Sequence, residues 1–293
     1  MKNLQLSDVI TPPIQGNEEF FARKVRAKDF HGLMDPIIGF DHFELTKDVF
    51  GPHPHAGMAA LSYVFQDSAP YQSIDSLGNN ITVTPGSLLW TWAGSGIVHS
   101  EYPMPEGATV EGLQLFVNIP AAKKHLKPQS IFIDQSQMPE IKKEGVLVRV
   151  VIGETEGATN PIATPEPLTL LHIFIEAEKE FTHTIPVGWS GTVFAVEGHF
   201  EVITDEQTTE LEEGNALAMA QSEHAESIIL KGIGNSSQLL FISGQPLHEE
   251  VFTKGAIAME SNESLTAALD NYNSGKMGFI RMEGETRTVV KPV

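Results

Sequence analysis

Short apolar runs separated by turn residues recur between about 37 and 120, and this pattern predicts β-strands. In one run, Leu113, Leu115 and Val117 fall on the same face of an extended chain. The segment 75–80 (DSLGNN) is made largely of residues that tolerate positive φ, so it predicts a turn. The candidate strands of this region cover 60–65, 81–85, 87–92 and 112–118.

The same texture resumes after a stretch from 120 to 139 that reads as a connector. Positions 86–93 (GSLLWTWA) align with 214–221 (GNALAMAQ) at an offset of 128, which indicates a weak internal repeat. We therefore predict an all-β protein with two tandem β-barrels, at 1–135 and 136–293. The later candidate strands cover 146–152, 168–175, 191–196 and 200–204.

Near the C-terminus, apolar residues no longer recur at every second position, as in a strand, but follow the spacing of an α-helix. Ser261 or Asn262 can cap the helix, and Gly275 can end it. We assign this short amphipathic helix to the second barrel region, 136–293. Its apolar positions follow i, i+3, i+4, i+7 spacing: Leu265, Ala268, Leu269 and Tyr272.

The composition restricts the chemistry and the compartment. The 293 residues include 25 Gly and 18 Pro, which favours many short strands joined by turns. Cysteine is absent, so any metal must be held by nitrogen and oxygen ligands. The start, MKNLQLSDVI, has no apolar signal-peptide core, and the chain has no run of about 18 apolar residues. We expect a soluble cytoplasmic protein without a membrane segment.

The charge argues against one class of partner. Asp and Glu number 38 against 19 Lys and Arg, which gives a net charge of −19. A surface this acidic repels phosphate backbones, and no basic run is longer than a Lys-Lys pair. We expect no direct nucleic-acid binding.

The most specific chemical signal is a pair of short motifs, His53-Pro54-His55 and His99-Ser100-Glu101. Residues i and i+2 of a strand point to the same side, roughly 6.6 Å apart, so each motif can aim two ligands at one point. Antiparallel folding of the intervening segment would bring three imidazoles and one carboxylate together. This set suits a divalent metal, with iron, manganese, nickel, copper and zinc all open.

The alternative is that His53 and His55 decorate an exposed loop while His99 and Glu101 cap a turn. We favour the metal site because both motifs occur together in a chain with 11 histidines and no competing cluster. In the second half, His183 stands alone and His224 is out of register with His99, so that barrel lacks a complete ligand set. The remaining histidines are predicted to be ordinary surface or hydrogen-bonded residues: His31, His42, His125, His172, His183, His199, His224 and His248.

Other catalytic signatures are missing. The sequence contains no G-x-S-x-G elbow, no P-loop, no G-x-G-x-x-G after a strand and no H-E-x-x-H helix. Gly94-Ser95-Gly96 is interpreted as a turn, and Trp90 with Trp92 as core residues of one strand face.

Several motifs resemble the pirin family: HPHAG at 53–57, PGSLLWTWAGSGIVHSE at 85–101, GLQLFVNIP at 112–120 and, more loosely, GQPL at 244–247. The resemblance implies a bicupin, with two tandem cupin (jelly-roll) barrels and a metal, commonly Fe(II), in the N-terminal one. It also implies His53, His55, His99 and Glu101 as the ligands.

The chain departs from the family pattern beside the first motif. Family members usually carry Arg directly after the HPH motif and Glu four positions after its second histidine, where this chain has Ala56 and Ala59. Neither position is a ligand, but a lost charge pair can change the electrostatics of the pocket and the choice of substrate.

The resemblance implies two functions of different classes. As an enzyme, the protein would act like bacterial quercetin 2,3-dioxygenases, opening a flavonol ring with O2, with Glu101 as general base. As an interaction protein, it would resemble redox-responsive transcriptional co-regulators, in which the iron oxidation state alters binding to a protein partner. A dioxygenase or isomerase acting on another small molecule is a third possibility.

Overall fold

The computed structural model describes residues 4–284 and 286–292 of the chain. The first three residues of the segment inspected for a signal peptide lie outside this range. Within the described residues, no helix has both the length and the apolar character needed to cross a membrane. Strands dominate, as the alternating pattern predicts.

The strands of the first half include both metal-ligand motifs. In chain order they are β1 (Ile14–Gly16), β2 (Phe20–Arg26), β3 (Ile37–Leu45), β4 (His53–His55), β5 (Met58–Val64), β6 (Tyr71–Asp75), β7 (Asn80–Val83), β8 (Leu88–Trp92), β9 (Ile97–Pro103), β10 (Val110–Asn118) and β11 (Gln129–Ile133).

The second half continues with strands and one α-helix. The elements are β12 (Glu140–Lys143), β13 (Val146–Ile152), β14 (Glu154–Thr155), β15 (Ala158–Thr159), β16 (Leu168–Ile175), β17 (Glu180–Ile185), β18 (Ser190–Ile203), β19 (Thr208–Glu212), β20 (Ala216–Met219), β21 (Glu226–Gly244), β22 (Phe252–Lys254), β23 (Ile257–Met259), α1 (Asn262–Asn273), β24 (Phe279–Glu283) and β25 (Thr286–Val290). Short 3-10 turns cover Ala27–Phe30, Ala121–Lys123 and Gln135–Gln137.

The chain forms two compact units, and we call the one that contains the histidine motifs the first unit. It comprises Ile14–Ala22, Phe40–Gln135 and 247–292. A seven-stranded sheet (β1-β2-β3-β10-β5-β8-β11) and a four-stranded sheet (β4-β9-β6-β7) supply most of its strands, and the hairpins β22-β23 and β24-β25 lie in its C-terminal segment. Tyr71 of the smaller sheet packs with Val64, Leu89 and Val110 of the larger one, so a core lies between the two sheets.

The second unit comprises 4–13, Arg23–Gly39 and Ser136–Pro246. Its sheet has the order β12-β13-β16-β21-β18-β19, with β17 also paired to β21 and β20 to β18. Inward-facing residues of these strands, among them Val148, Ile173, Phe181 and Phe241, form its core.

Most predicted strands are present, and β13 and β16 have the predicted bounds. The runs 191–196 and 200–204 are different, because they belong to one continuous strand, β18. Its pairing with β21 shifts register twice, around Glu197, and Gly198 adopts φ +80°. The glycine therefore marks a β-bulge that bends the strand without ending it.

The connector also holds an unpredicted strand. β11 pairs antiparallel with β8, with Ile131 opposite Trp90, inside the segment 120–139. β11 has only five residues, between a Lys-Pro pair and a polar segment, and this pattern is too short to identify a strand from sequence.

The weak internal repeat corresponds to a shared local structure. Gly86 and Gly214 have nearly the same positive φ, +77° and +79°, and a strand begins two residues after each, at Leu88 and Ala216. Each glycine therefore makes the turn that leads into an equivalent strand.

The C-terminal helix is present but belongs to a different unit from the one predicted. Ser261 caps α1 by accepting a hydrogen bond from the Ser264 backbone N–H, and Leu265 and Ala268 are buried beside Ala56 and Val98. Residues 247–292 thus complete the first unit and not the second. The apolar face needs a partner surface, and the sequence pattern does not specify which barrel provides it.

Candidate metal centre

The HPH motif lies on an edge strand, as its proline requires. β4 pairs antiparallel with β9 at the border of the four-stranded sheet, and His53 stands directly opposite His99. Pro54 has no N–H to donate, so it is tolerated at an edge and would disrupt a central strand. This register brings the two motifs, 44 residues apart, to one place.

Three imidazole nitrogens converge there. His99 Nε2 lies 2.9 Å from His55 Nε2 and 2.9 Å from His53 Nε2. The potential ligand atoms of the three histidines all lie within 4.8 Å of one another. The structure therefore brings three of the four predicted ligands into a group that could hold a metal ion.

The number of protons available on the three rings favours a cation between them. The Gly51 carbonyl lies 3.0 Å from His53 Nδ1 and can only accept, so Nδ1 carries the proton and Nε2 of this ring presents a lone pair. His99 Nε2 cannot be both a donor to His53 and an acceptor from His55. With neutral rings, the two 2.9 Å contacts share one N–H at most, so they are not both normal hydrogen bonds, whereas a positive ion held by the three nitrogen lone pairs would satisfy both contacts.

Protonation of His55 or His99 does not supply this positive charge. Burial, with a smaller contribution from His53, lowers the pKa of His55 to about 3. Burial, and then the neighbouring His53 and His55, also lowers the pKa of His99. These two imidazoles are therefore neutral at pH 7, which is the form that binds a metal.

The spacing of the nitrogens also fits a metal. Adjacent ligands about 2.1 Å from an ion and 90° apart are separated by roughly 3.0 Å, whereas tetrahedral ligands are roughly 3.4 Å apart. The observed 2.9 Å contacts match the first value. The donor set thus suits an ion that keeps further coordination positions beyond the three histidines.

Glu101 lies near this group but is not one of its converging members. Its Oε1 is 3.8 Å from His99 Nδ1 and accepts a hydrogen bond of 3.1 Å from the Ser62 hydroxyl. Burial raises the pKa of Glu101, while the nearby His53 and the hydroxyls of Ser62 and Tyr71 oppose that rise. The ligand role of Glu101 stays a prediction, and the structure places its carboxylate beside the site.

Further polar side chains lie next to Glu101 inside the barrel. Ser62 Oγ is also 2.7 Å from Gln114 Oε1, and Tyr71 is buried with its pKa raised by burial and then by the charge of Glu101. Sequence reasoning missed these three residues. Only the alternation of β5, β6 and β10 could have indicated that they face inward, and nothing local links them to Glu101.

The segment after the HPH motif is held by buried contacts. Gly57 adopts φ +68° and its N–H donates to Gly94 O; a Cβ at this position would lie 2.1 Å from the backbone oxygen of Ala258. Lys124, which is fully buried, donates to Gly57 O at 2.6 Å and to Ala258 O at 2.9 Å. The glycine of HPHAG is therefore required by close packing.

The other histidines mostly have ordinary partners, as predicted. His42 contacts Glu111, His125 contacts Glu260, and His199 lies 3.2 Å from Glu210. His183 is buried in the second unit, where its Nδ1 is 2.9 Å from Thr155 Oγ1 and burial lowers its pKa to about 4. Trp90 and Trp92 are both buried, which confirms their assignment to the core.

Comparisons with known proteins match both halves of the chain. The Pirin family model matches residues 20–117, and the Pirin C-terminal cupin domain model matches 170–278. A putative pirin-like protein of Arabidopsis thaliana is 30% identical over 256 residues, covering 86% of this chain and 92% of that protein.

Solved structures share the fold. The structure of quercetin 2,3-dioxygenase from Acinetobacter baumannii superposes with a TM-score of 0.82 at 23% identity, covering 95% of this chain and 98% of that one. A bacterial pirin from Escherichia coli in complex with nickel(II) gives 0.62 at 17% identity, covering 83% and 99%. The architecture is therefore the two-domain cupin type predicted from the sequence.

Proposed function

The chain belongs to the pirin family, and from this premise we propose that it is a metal-dependent dioxygenase of the quercetin 2,3-dioxygenase type. The observation that carries the proposal is the convergence of His53, His55 and His99 on one point. The name of the structurally similar Acinetobacter protein supports the substrate class, a flavonol together with O2.

We assign His53, His55, His99 and Glu101 as the ligands of a divalent ion, with Fe(II) as the proposed occupant. When bound, such an ion would stabilise the anion of a substrate hydroxyl and orient it for reaction with dioxygen. The nickel complex of the Escherichia coli relative is consistent with a divalent ion on this fold.

Glu101 is the proposed general base. Its buried carboxylate lies beside His99, and burial raises its pKa, which brings it nearer to the range in which a base is effective at neutral pH. Ser62 orients the carboxylate through its 3.1 Å hydrogen bond, and Tyr71 of the neighbouring strand β6 is close enough for the charge of Glu101 to raise the pKa of its hydroxyl. The proton of the substrate hydroxyl would pass to this carboxylate.

Metal analysis and an aerobic flavonol assay test the proposal. The purified protein should contain or take up one equivalent of Fe(II), and the loaded protein should consume quercetin and O2 and release carbon monoxide. His99→Ala should abolish metal uptake and turnover. The matched control, His42→Ala, removes a histidine that pairs with Glu111 and is not one of the three converging histidines, and it should leave both unchanged.

The outcomes separate the enzyme from the interaction protein. Stoichiometric metal without turnover of any flavonol, across several divalent metals, would overturn the enzymatic proposal. A set of protein partners that differs between the Fe(II) and Fe(III) forms is then the result expected of a redox-responsive interaction protein.

A further inference from the structure

The side chain of one arginine near the C-terminus contacts a residue close to the first ligand motif and a residue within the second. Arg287 lies on β25, in the hairpin β24–β25, and its side chain is only 8% exposed. Its guanidinium pairs with the Asp48 carboxylate, and its Nε donates to Ser100 Oγ at 3.1 Å. The same group stacks 3.6 Å from the centre of the Tyr102 ring.

The contact between Arg287 and Asp48 is connected to His53 through the backbone of Gly51. Asp48 Oδ1 accepts a 3.0 Å hydrogen bond from the Gly51 N–H, which closes the loop before β4. The carbonyl of the same Gly51 faces His53 Nδ1 at 3.0 Å. Arg287 therefore anchors the loop whose backbone sets the proton position of His53, and so leaves Nε2 free to bind a metal.

The contact between Arg287 and Ser100 lies within the second ligand motif. Ser100 lies between His99 and Glu101 on β9, so its side chain points to the opposite face of the strand. Ser100 is fully buried, and Arg287 meets it there. The guanidinium thus supports β9 from behind, while the two ligand side chains point to the site.

We propose that Arg287 is a positioning residue for the metal centre, through which the C-terminal hairpin completes the site. This inference rests on the proposed metal binding by the three histidines. A guanidinium is suited to the role because its planar fork donates in two directions at once, whereas an ammonium acts as a point charge. Arg287→Lys should therefore keep the charge and yet lose one of the two contacts.

The test compares three variants by titration with Ni(II) alone. Groups that orient metal-binding histidines typically contribute 10–100-fold to affinity, so Arg287→Met should raise the Kd for Ni(II) by about tenfold or more. Arg287→Lys should give a smaller loss. The matched control is Arg281→Met, which removes an exposed arginine from β24 of the same hairpin and should change the Kd less than about twofold.

A second measurement needs no metal. In the wild-type apoprotein, nitrogen-detected NMR should show His53 as the Nδ1–H tautomer, because of the Gly51 carbonyl. In Arg287→Met the Nε2–H tautomer should gain population, and Arg281→Met should match the wild type. If the hairpin variant does not fold, Asp48→Asn removes the charge pair but keeps the oxygen that accepts from Gly51, and it should shift the tautomer and the Kd in the same direction.

The failures are distinguishable. Wild-type protein that binds no Ni(II) contradicts the proposed metal site, whereas the tautomer of His53 still tests the role of Arg287. Unchanged tautomer and Kd in a folded Arg287→Met protein would overturn the inference alone. A fall in thermal stability clearly larger than that of Arg281→Met, without change in either readout, would show that the arginine is only structural.

Discussion

Lys124 provides a quantitative test of how the first unit is held together. The side chain is fully buried, and its ammonium donates to Gly57 O at 2.6 Å, Asn118 Oδ1 at 2.5 Å and Ala258 O at 2.9 Å. Three acceptors match the three N–H groups of the charged form. Lys124 thereby links the segment after the HPH motif to the returning C-terminal chain.

The net contribution of Lys124 follows from two opposing quantities. Hydrogen bonds from a charged donor contribute about 1.5–3 kcal/mol each, so three contribute roughly 5–9 kcal/mol. Burial lowers the pKa of Lys124 from 10.5 to about 8, which corresponds to a cost of roughly 3 kcal/mol for the charged form. Lys124→Met should therefore destabilise the protein by about 2–6 kcal/mol at pH 7.

The pH dependence has a definite sign. Below pH 8 the lysine is protonated in both the folded and the unfolded chain, so its contribution to stability is constant. Between pH 8 and 10.5 the unfolded chain still binds the proton that the folded protein has released, and stability therefore rises with pH. Wild-type protein should gain up to about 3 kcal/mol relative to Lys124→Met over this interval.

Urea denaturation of both proteins at a series of pH values from 7 to 10 measures this difference. Lys127→Met serves as the control, because Lys127 is exposed and only three positions away. Its stability should follow that of the wild type at every pH. Stability curves of the wild type and Lys124→Met that run parallel over the whole range would refute the reasoning.

Two further substitutions examine the site and its supporting turn. Glu101→Gln keeps an oxygen that can accept the hydrogen bond from Ser62, but it removes the base. The kcat for flavonol oxidation, measured by oxygen uptake, should therefore fall about 100-fold or more. A rate above about a tenth of the wild-type rate would contradict the assigned role. Gly96→Ala should lower the free energy of unfolding by about 1–3 kcal/mol more than Gly107→Ala, measured by thermal denaturation. Both glycines have positive φ, but a Cβ at Gly96 would lie 2.6 Å from Met277 Cγ and one at Gly107 has open space, so equal losses would refute the packing argument.

Much of the candidate site was predictable because its signals are local. The i, i+2 spacing of His53 with His55 and of His99 with Glu101 sets side-chain direction in any strand. Pro54 restricts the first motif to an edge, and β4 lies at an edge of its sheet. The pairing of His53 with His99 then follows from antiparallel folding of the intervening strands.

The sequence by itself therefore determined the strand class, the turns, the C-terminal helix and the histidines that converge, since period and turn chemistry act over a few residues. Only the tertiary structure decided which unit receives the C-terminal segment, and that Arg287 meets Asp48, 239 positions away. It also decided that Lys124 is buried among oxygens and that Gly198 bends a strand without ending it. These features depend on which surfaces meet in space, because the local sequence around an apolar face or a charged side chain does not specify the distant residue that it will contact.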